Sequence, residues 1–339
     1  MIKEFINKRV FDKDAEQKAT REGYGEGLVE LGKHNEKVVA LCADLTDSTQ
    51  VAKFAKEYPK RFFEIGVAEQ NMATIAAGMG VSGKIPFISS YATFSPGRNY
   101  EQIRTTIAYN NSNVKIAGHH AGISTGPDGA THQATEDIAI MRVMPNMKVI
   151  VPCDAIEARK ATMAAAHIYG PVYLRFTREK TPMMTTEETP FAPGRAYAMW
   201  DTGKAKGKNK MKPEVLFVGC GPILHEALKV AKDLAEKDGV GSLVVNSHTI
   251  KPLDEKFILD AAKECGAVVT IEEHQKSGGL GGAVAELLAQ NNPLPIEMVG
   301  LHDTYAESGQ PSELMEKYCL SARHIKAAAK KVLNRKKKR

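Results

Sequence analysis

The strongest constraint in this sequence is a rhythm of short, continuously apolar, β-branched runs separated by helix-like stretches. The runs are KVVALCAD (37–44), FFEIGVAE (62–69), IPFISSYATF (85–94), VKIAGHH (114–120), KVIVPCD (148–154) and PVYLRFTR (171–178). Segments such as QNMATIAAGMGV (70–81) and AIEARKATMAAAHIYG (155–170) lie between them. Strands apolar on both faces that alternate with helices predict a parallel sheet covered on both sides. Each run closes on a polar or aromatic side chain: Asp44, Glu69, Phe94, His120, Asp154 and Arg178. Ligands of open α/β sheets sit beyond the carboxyl ends of the strands, so these six side chains are expected along one edge. Asp154, directly before AIEARK, also reads as a helix N-cap.

A second block begins after residues 191–213, where Pro, Gly and five Lys between 204 and 212 give a linker composition. Beyond it EVLFVGCG, SLVVNSHTIKPLD, AVVTIEEH and IEMVGL again alternate with helical stretches. The expected fold class is therefore α/β, with two domains over 1–190 and 214–339, each a mostly parallel sheet flanked by helices. A chain of 339 residues can build two such cores.

Composition excludes some roles. No apolar run approaches the roughly 20 residues a bilayer crossing needs, and the first residues lack the apolar core of a secretory signal. The five cysteines are odd in number, scattered, and form no Cys-x-x-Cys pair. They suit free thiols in a reducing compartment, so a cytoplasmic location is expected. The net charge is +6, but seven basic side chains fall in 330–339, and subtracting them leaves about −1 for the rest. That tail is read as a frayed, solvated terminus, with no nucleic-acid or membrane partner.

The densest polar segment is HHAGISTGPDGATHQATED (119–137), which sets His119, His120, Asp128 and His132 among Gly122, Gly126 and Gly129. Glycine permits positive φ and close approach to a ligand, while His and Asp offer donors and acceptors to a polyhydroxylated or phosphorylated molecule. The spacing fits no usual histidine metal motif, so no metal site is expected on this chain. SGGLGG (277–282) follows a strand and opens a helix as a dinucleotide fingerprint does. It lacks a ribose-binding acid about 20 residues on, and tight-turn packing is the preferred reading.

The 119–137 segment resembles the transketolase stretch that runs from a substrate histidine through Asp-Gly-x-Thr-His-Gln. Further marks of that family follow in family order: ATR (19–21), ADLTDS (43–48), GVAEQNM (66–72), TF (93–94) with Tyr100, PNMKVIVPCD (145–154), TR (177–178) and EEHQKSGGLGGAVAE (272–286). The resemblance covers nearly the whole chain and is to the C-terminal half of a split transketolase. It implies a thiamine diphosphate site, with Glu69 as the catalytic carboxyl group on the pyrimidine N1′, where it makes the 4′-amino group basic enough to deprotonate the thiazolium carbon. A partly apolar surround from Ile65, Val67, Met72 and Ile75 is expected for it. Phe94 and Tyr100 are implied to wall the aminopyrimidine ring, and Asp44 to lie near the cofactor. Arg21, Ser48, His120 and Arg178 are implied to grip the substrate phosphate, and Asp128 and His132 to bond the sugar hydroxyls. Gly97 stands where larger transketolases often have a second aromatic. Ala121 and Ala130 also depart from the family pattern.

The family's Gly-Asp-Gly motif, which holds the diphosphate through Mg²⁺ or Ca²⁺, does not occur in this sequence. The resemblance therefore implies a separate N-terminal subunit that carries it, joined in an α2β2 assembly. A 1-deoxyxylulose-5-phosphate synthase or a 2-oxo acid dehydrogenase β subunit shares the glutamate and the α/β plan, and both stay open as alternatives. So does a non-enzymatic binding role for the basic tail.

Overall fold

In the computed structural model, which describes all residues except 2, 4, 206, 208, 209 and 339, the chain builds two main sheets. The first contains β2 (Val38–Cys42), β3 (Phe62–Glu64), β4 (Ile85–Tyr91), β5 (Lys115–His119), β6 (Lys148–Ile150) and β7 (Val172–Arg175). These six strands are parallel, in the order β6-β7-β5-β4-β2-β3. Every residue of β2, β5 and β7 is buried, as expected for strands covered on both faces. A small antiparallel pair, β1 (Gln17–Ala19) with β8 (Lys180–Pro182), ties the start of this half to its end.

The second sheet has the order β14-β13-β10-β11-β9. Its strands are β9 (Tyr197–Asp201), β10 (Val215–Gly219), β11 (Ser242–Asn246), β13 (Val268–Gln275) and β14 (Ile296–Leu301). All pairings are parallel except that of β9 with β11. The fold is thus mixed α/β with parallel-dominant sheets and flanking helices.

Three local expectations need correction. Residues 191–213 are not linker throughout, because Tyr197–Asp201 forms the β9 edge strand, with Met199 and Trp200 buried in the core. Lys206 and Lys208 of the expected lysine-rich stretch lie outside the described residues. SLVVNSHTIKPLD is two strands: β11 stays in the second sheet, while β12 (Thr249–Lys251) crosses to pair antiparallel with β6 in the first. Third, the basic tail is helical rather than frayed as far as Lys337. A helix spans Ala322–Lys337, buries Ile325, Ala329 and Val332, and anchors Lys336 Nζ to the carbonyls of Cys265 (2.7 Å) and Glu214 (3.2 Å). Arg335 and Lys331 both pair with Glu297. An i, i+4, i+7 apolar stripe holds this helix down despite its charge.

The strand-crossing and a shared core join the two halves. One apolar cluster contains Val149 and Val151 of the first half with Leu216, Val218 and Ile250 of the second. On the other face of the first sheet, helix Thr20–His34 lies against helix Ala155–Ala166, with Gly23 packed onto the Ala155 carbonyl. Asp154 caps that second helix as expected, accepting from Glu157 N at 2.9 Å. Its other oxygen accepts from the amides of Met184 and Thr185, so its role is structural.

Candidate active site

The remaining five edge residues, Asp44, Glu69, Phe94, His120 and Arg178, do follow the carboxyl ends of β2, β3, β4, β5 and β7. Glu69 opens helix Glu69–Val81 and is only 1% exposed. Arg98 Nη1 donates to its Oε2 at 2.7 Å, Ser90 Oγ reaches Oε1 at 3.4 Å, and Asn99 Nδ2 donates to its backbone oxygen at 3.1 Å. Of the apolar surround expected for Glu69, Met72 is buried and Ile65 and Ile75 pack against the same core, but Val67 is 70% exposed, and the carboxyl group's hydrogen-bond partners are a guanidinium and a hydroxyl.

Arg98 also lies over the Phe94 ring, its Cζ 4.6 Å from the centroid. Phe94 stacks near Tyr91 (5.9 Å between centroids, 13° between planes) and meets His132 edge-on at 5.4 Å. Tyr91 in turn stacks on His120 at 3.9 Å. Glu69, Arg98, Phe94, Tyr91, His132 and His120 therefore form one continuous line of contacts. Asp44 and Tyr100 stand outside it. Asp44 is exposed, with its amide donating to Glu64 Oε1 at 2.7 Å, and Tyr100 is half-buried against the core. A side chain at Gly97 would collide with the Thr93 carbonyl, so the turn itself excludes a second aromatic at that position.

The other end of the line is cationic. Arg178 Nη1 donates to the Thr125 carbonyl at 2.8 Å and lies 3.6 Å from Asp128 Oδ1. Thr125 Oγ1 donates to the His120 carbonyl at 2.5 Å. Arg21 Nη1 donates to the Ser48 carbonyl at 2.9 Å, so Ser48 meets Arg21 through its backbone. Arg21 Nε is buried without a partner among the described residues. Burial, followed by the charges of Arg21, Arg178 and His132, pushes the His120 imidazole down to about 3. His120 is neutral at pH 7 and its Nδ1 has no partner among the described residues, which leaves it free to bond a hydroxyl or anion. His119 points away from this edge, fully buried between Tyr24 and Phe176.

Sequence reasoning missed two contributors. Arg98 carries no signal beyond lying in the SPGRN turn. Tyr91 lies inside the run read as a strand, where an aromatic is unremarkable. The SGGLGG segment is packing, as expected: Glu272 accepts from Leu280 N and Gly281 N, both at 2.7 Å, and fills the helix N-terminus that a phosphate would need.

Comparison with known proteins gives the family. The transketolase pyrimidine-binding domain matches residues 16–184, and the transketolase C-terminal domain matches residues 203–325. A protein of Methanocaldococcus jannaschii named putative transketolase C-terminal section is 44% identical over 95% of this chain and 97% of its own length. The chain belongs to the transketolase family. Another relative, the 6-deoxy-6-sulfo-D-fructose transketolase subunit SqwH of a Clostridium strain, is 37% identical over 96% of this chain and 98% of its own. Among solved structures, one described as split gene transketolase, inactive beta4 tetramer, superposes with a TM-score of 0.84. It is 46% identical and covers 93% of this transketolase chain and 98% of that one. By contrast, the chain spans 48% of the mouse transketolase-like protein 2, to which it is 38% identical.

Proposed function

We propose that this chain is the pyrimidine-binding subunit of a two-polypeptide transketolase that transfers a two-carbon ketol unit between sugar phosphates. The observation that carries the reading is the line from buried Glu69 through Phe94 to neutral His120, ending beside Arg178 and Asp128. It offers an acid and an aromatic wall to a flat heterocycle, and donors to a phosphorylated sugar, on one sheet edge.

The residues fit thiamine diphosphate. Among the described residues Glu69 Oε1 has only the long 3.4 Å contact to Ser90, which leaves an acceptor for a protonated ring nitrogen, and Phe94 is half-exposed beside it. When bound, the cofactor supplies an acidic ring carbon and the electron sink for carbon–carbon cleavage. Glu69 would hold the proton at the ring nitrogen, while Phe94 orients the ring, with Tyr100 and Asp44 flanking the pocket. Arg178, Arg21, Ser48 and His120 would bind the sugar phosphate, and Asp128 and His132 its hydroxyls. Each charge-assisted bond of this kind is worth about 1.5–3 kcal/mol.

The metal and diphosphate half of the site would come from an N-terminal transketolase subunit with a Gly-Asp-Gly motif, in an α2β2 assembly in the cytoplasm. Support comes from relatives of matching length named as a section or a subunit, and from the free state of all five cysteines. The test is reconstitution with that companion. Xylulose 5-phosphate plus ribose 5-phosphate should turn over, and pyruvate plus glyceraldehyde 3-phosphate should not. Glu69→Ala should still assemble but lose most turnover. Turnover by the chain alone, with Mg²⁺ and cofactor, would refute the division of the site.

A further inference from the structure

Strand β13 delivers two buried carboxylates, and only one of them serves its own domain. Glu272 caps helix Leu280–Asn291. Glu273 faces the other way, and its Oε1 accepts from the backbone amide of Ser124 at 2.6 Å, in the loop that carries His120 and Asp128. Gly122, two residues earlier, has φ 88°, and a Cβ there would collide with the same Glu273 carboxylate. The glycine is needed both for its backbone conformation and for the closeness of that carboxylate.

The strand is itself fixed against the first domain. Arg175 Nη2 donates to the Glu273 carbonyl at 2.9 Å, and Gln275 N donates to the Thr135 carbonyl at 2.8 Å. Behind the loop lies a cavity of about 610 Å³ lined in part by Ser124, Thr177 and Glu273. Packing alone therefore does not fix the loop from that side. One residue past Ser124, the Thr125 carbonyl receives Arg178 and the Thr125 hydroxyl holds the His120 carbonyl.

We propose that Glu273, on the second domain, is a positioning residue for the phosphate grip: it fixes the 122–125 loop so that Thr125 aims Arg178 and holds His120. This gives the second domain a part in substrate binding, and it rests on the reading of Arg178 and His120 given above.

Two readouts test it. In the isolated chain, Glu273→Ala should speed amide hydrogen exchange across 122–126 about tenfold, the loss expected for one buried hydrogen bond. Glu273→Gln keeps an oxygen acceptor for Ser124 and should exchange nearly as the parent does. In the assembled enzyme, Glu273→Ala should raise KM for a phosphorylated sugar about tenfold with kcat within about threefold, and spare hydroxypyruvate, an unphosphorylated donor. Gly122→Ala, which displaces the same contact from the loop side, should give the same pattern, and it carries both readouts if Glu273→Ala does not fold. Unchanged exchange, faster exchange with unchanged KM, or an equal KM rise for hydroxypyruvate would each overturn the proposal. Arg178→Ala separates the two levels: if it leaves the phosphorylated-sugar KM unaltered, the reading of the site fails, not the loop clamp alone.

Discussion

Removing the Asp137 carboxylate should be among the most destabilising single changes available in this chain. Asp137 is 1% exposed and Arg175 3%, so the pair is fully buried. Arg175 Nε donates to Asp137 Oδ2 at 2.7 Å and Nη2 to Oδ1 at 3.2 Å, while Tyr173 OH donates to Oδ2 at 2.6 Å. Arg175 Nη2 also reaches the carbonyls of Ala134 and Glu273, so the pair joins the sheet, the polar loop and the second domain. Asp137→Ala leaves a guanidinium buried and uncompensated, a change that costs about 3–5 kcal/mol. With a urea m-value of about 2–3 kcal/mol/M, the unfolding midpoint should fall by about 1–2.5 M.

The pair also makes an acid-range prediction. Burial pushes the Asp137 carboxyl up, but the Arg175 charge and hydrogen bonds, with His274 and Tyr173, outweigh it and hold it below the ordinary value. A folded-state pKa below the unfolded one gives stability that is present above about pH 4 and lost as pH falls through the folded value. Asp137→Asn should remove that part of the acid slope. Urea titrations at pH 7, and at a series of values from about pH 4 downwards, read both effects. Replacing both partners, Asp137→Leu with Arg175→Met, should recover most of the loss, because neither charge is then stranded. A shift below about 0.3 M for Asp137→Ala, or an acid slope that survives in Asp137→Asn, would refute the reasoning.

Three further outcomes are expected. Gly23→Ala should cost about 1–3 kcal/mol, read by urea denaturation, since the added methyl meets the Ala155 carbonyl and forces the two helices apart. His120 is held near 3 against an unfolded value near 6.5, so it contributes stability fully present above pH 6.5 and lost as pH falls towards 3. His120→Gln should flatten acid unfolding in that window, and an unchanged slope would count against the burial argument. Arg98→Met should leave the chain folded but change cofactor affinity in the assembled complex, measured by calorimetry, because Arg98 occupies Glu69 Oε2 and covers Phe94; affinity equal to the parent's would show that the ion pair is incidental.

The first sheet was legible because its strands are buried on both faces, so their apolar runs need no knowledge of what covers them. The rule that ligands gather at carboxyl ends led to the expectation that Glu69, Phe94, His120 and Arg178 share one sheet edge, and the structure has them after the ends of β3, β4, β5 and β7. β9 was not legible, since an edge strand of five residues beside Gly and Lys carries no periodic signal stronger than its surroundings. The tail misled for a different reason: seven cations in ten residues suggest fraying, yet Ile325, Ala329 and Val332 on one face hold the helix down while most of the described cations stay exposed.

By itself, then, the sequence determined which side chains stand at the ends of which strands, because local patterning fixes period and order along the chain. Only the tertiary structure decided that Glu69 meets Arg98, that β12 changes sheets, and that Glu273 reaches Ser124 across 149 positions of chain. Contacts of that kind join groups far apart in sequence. They arise from how two separately patterned sheets pack against each other, and short-range patterning holds no record of that packing.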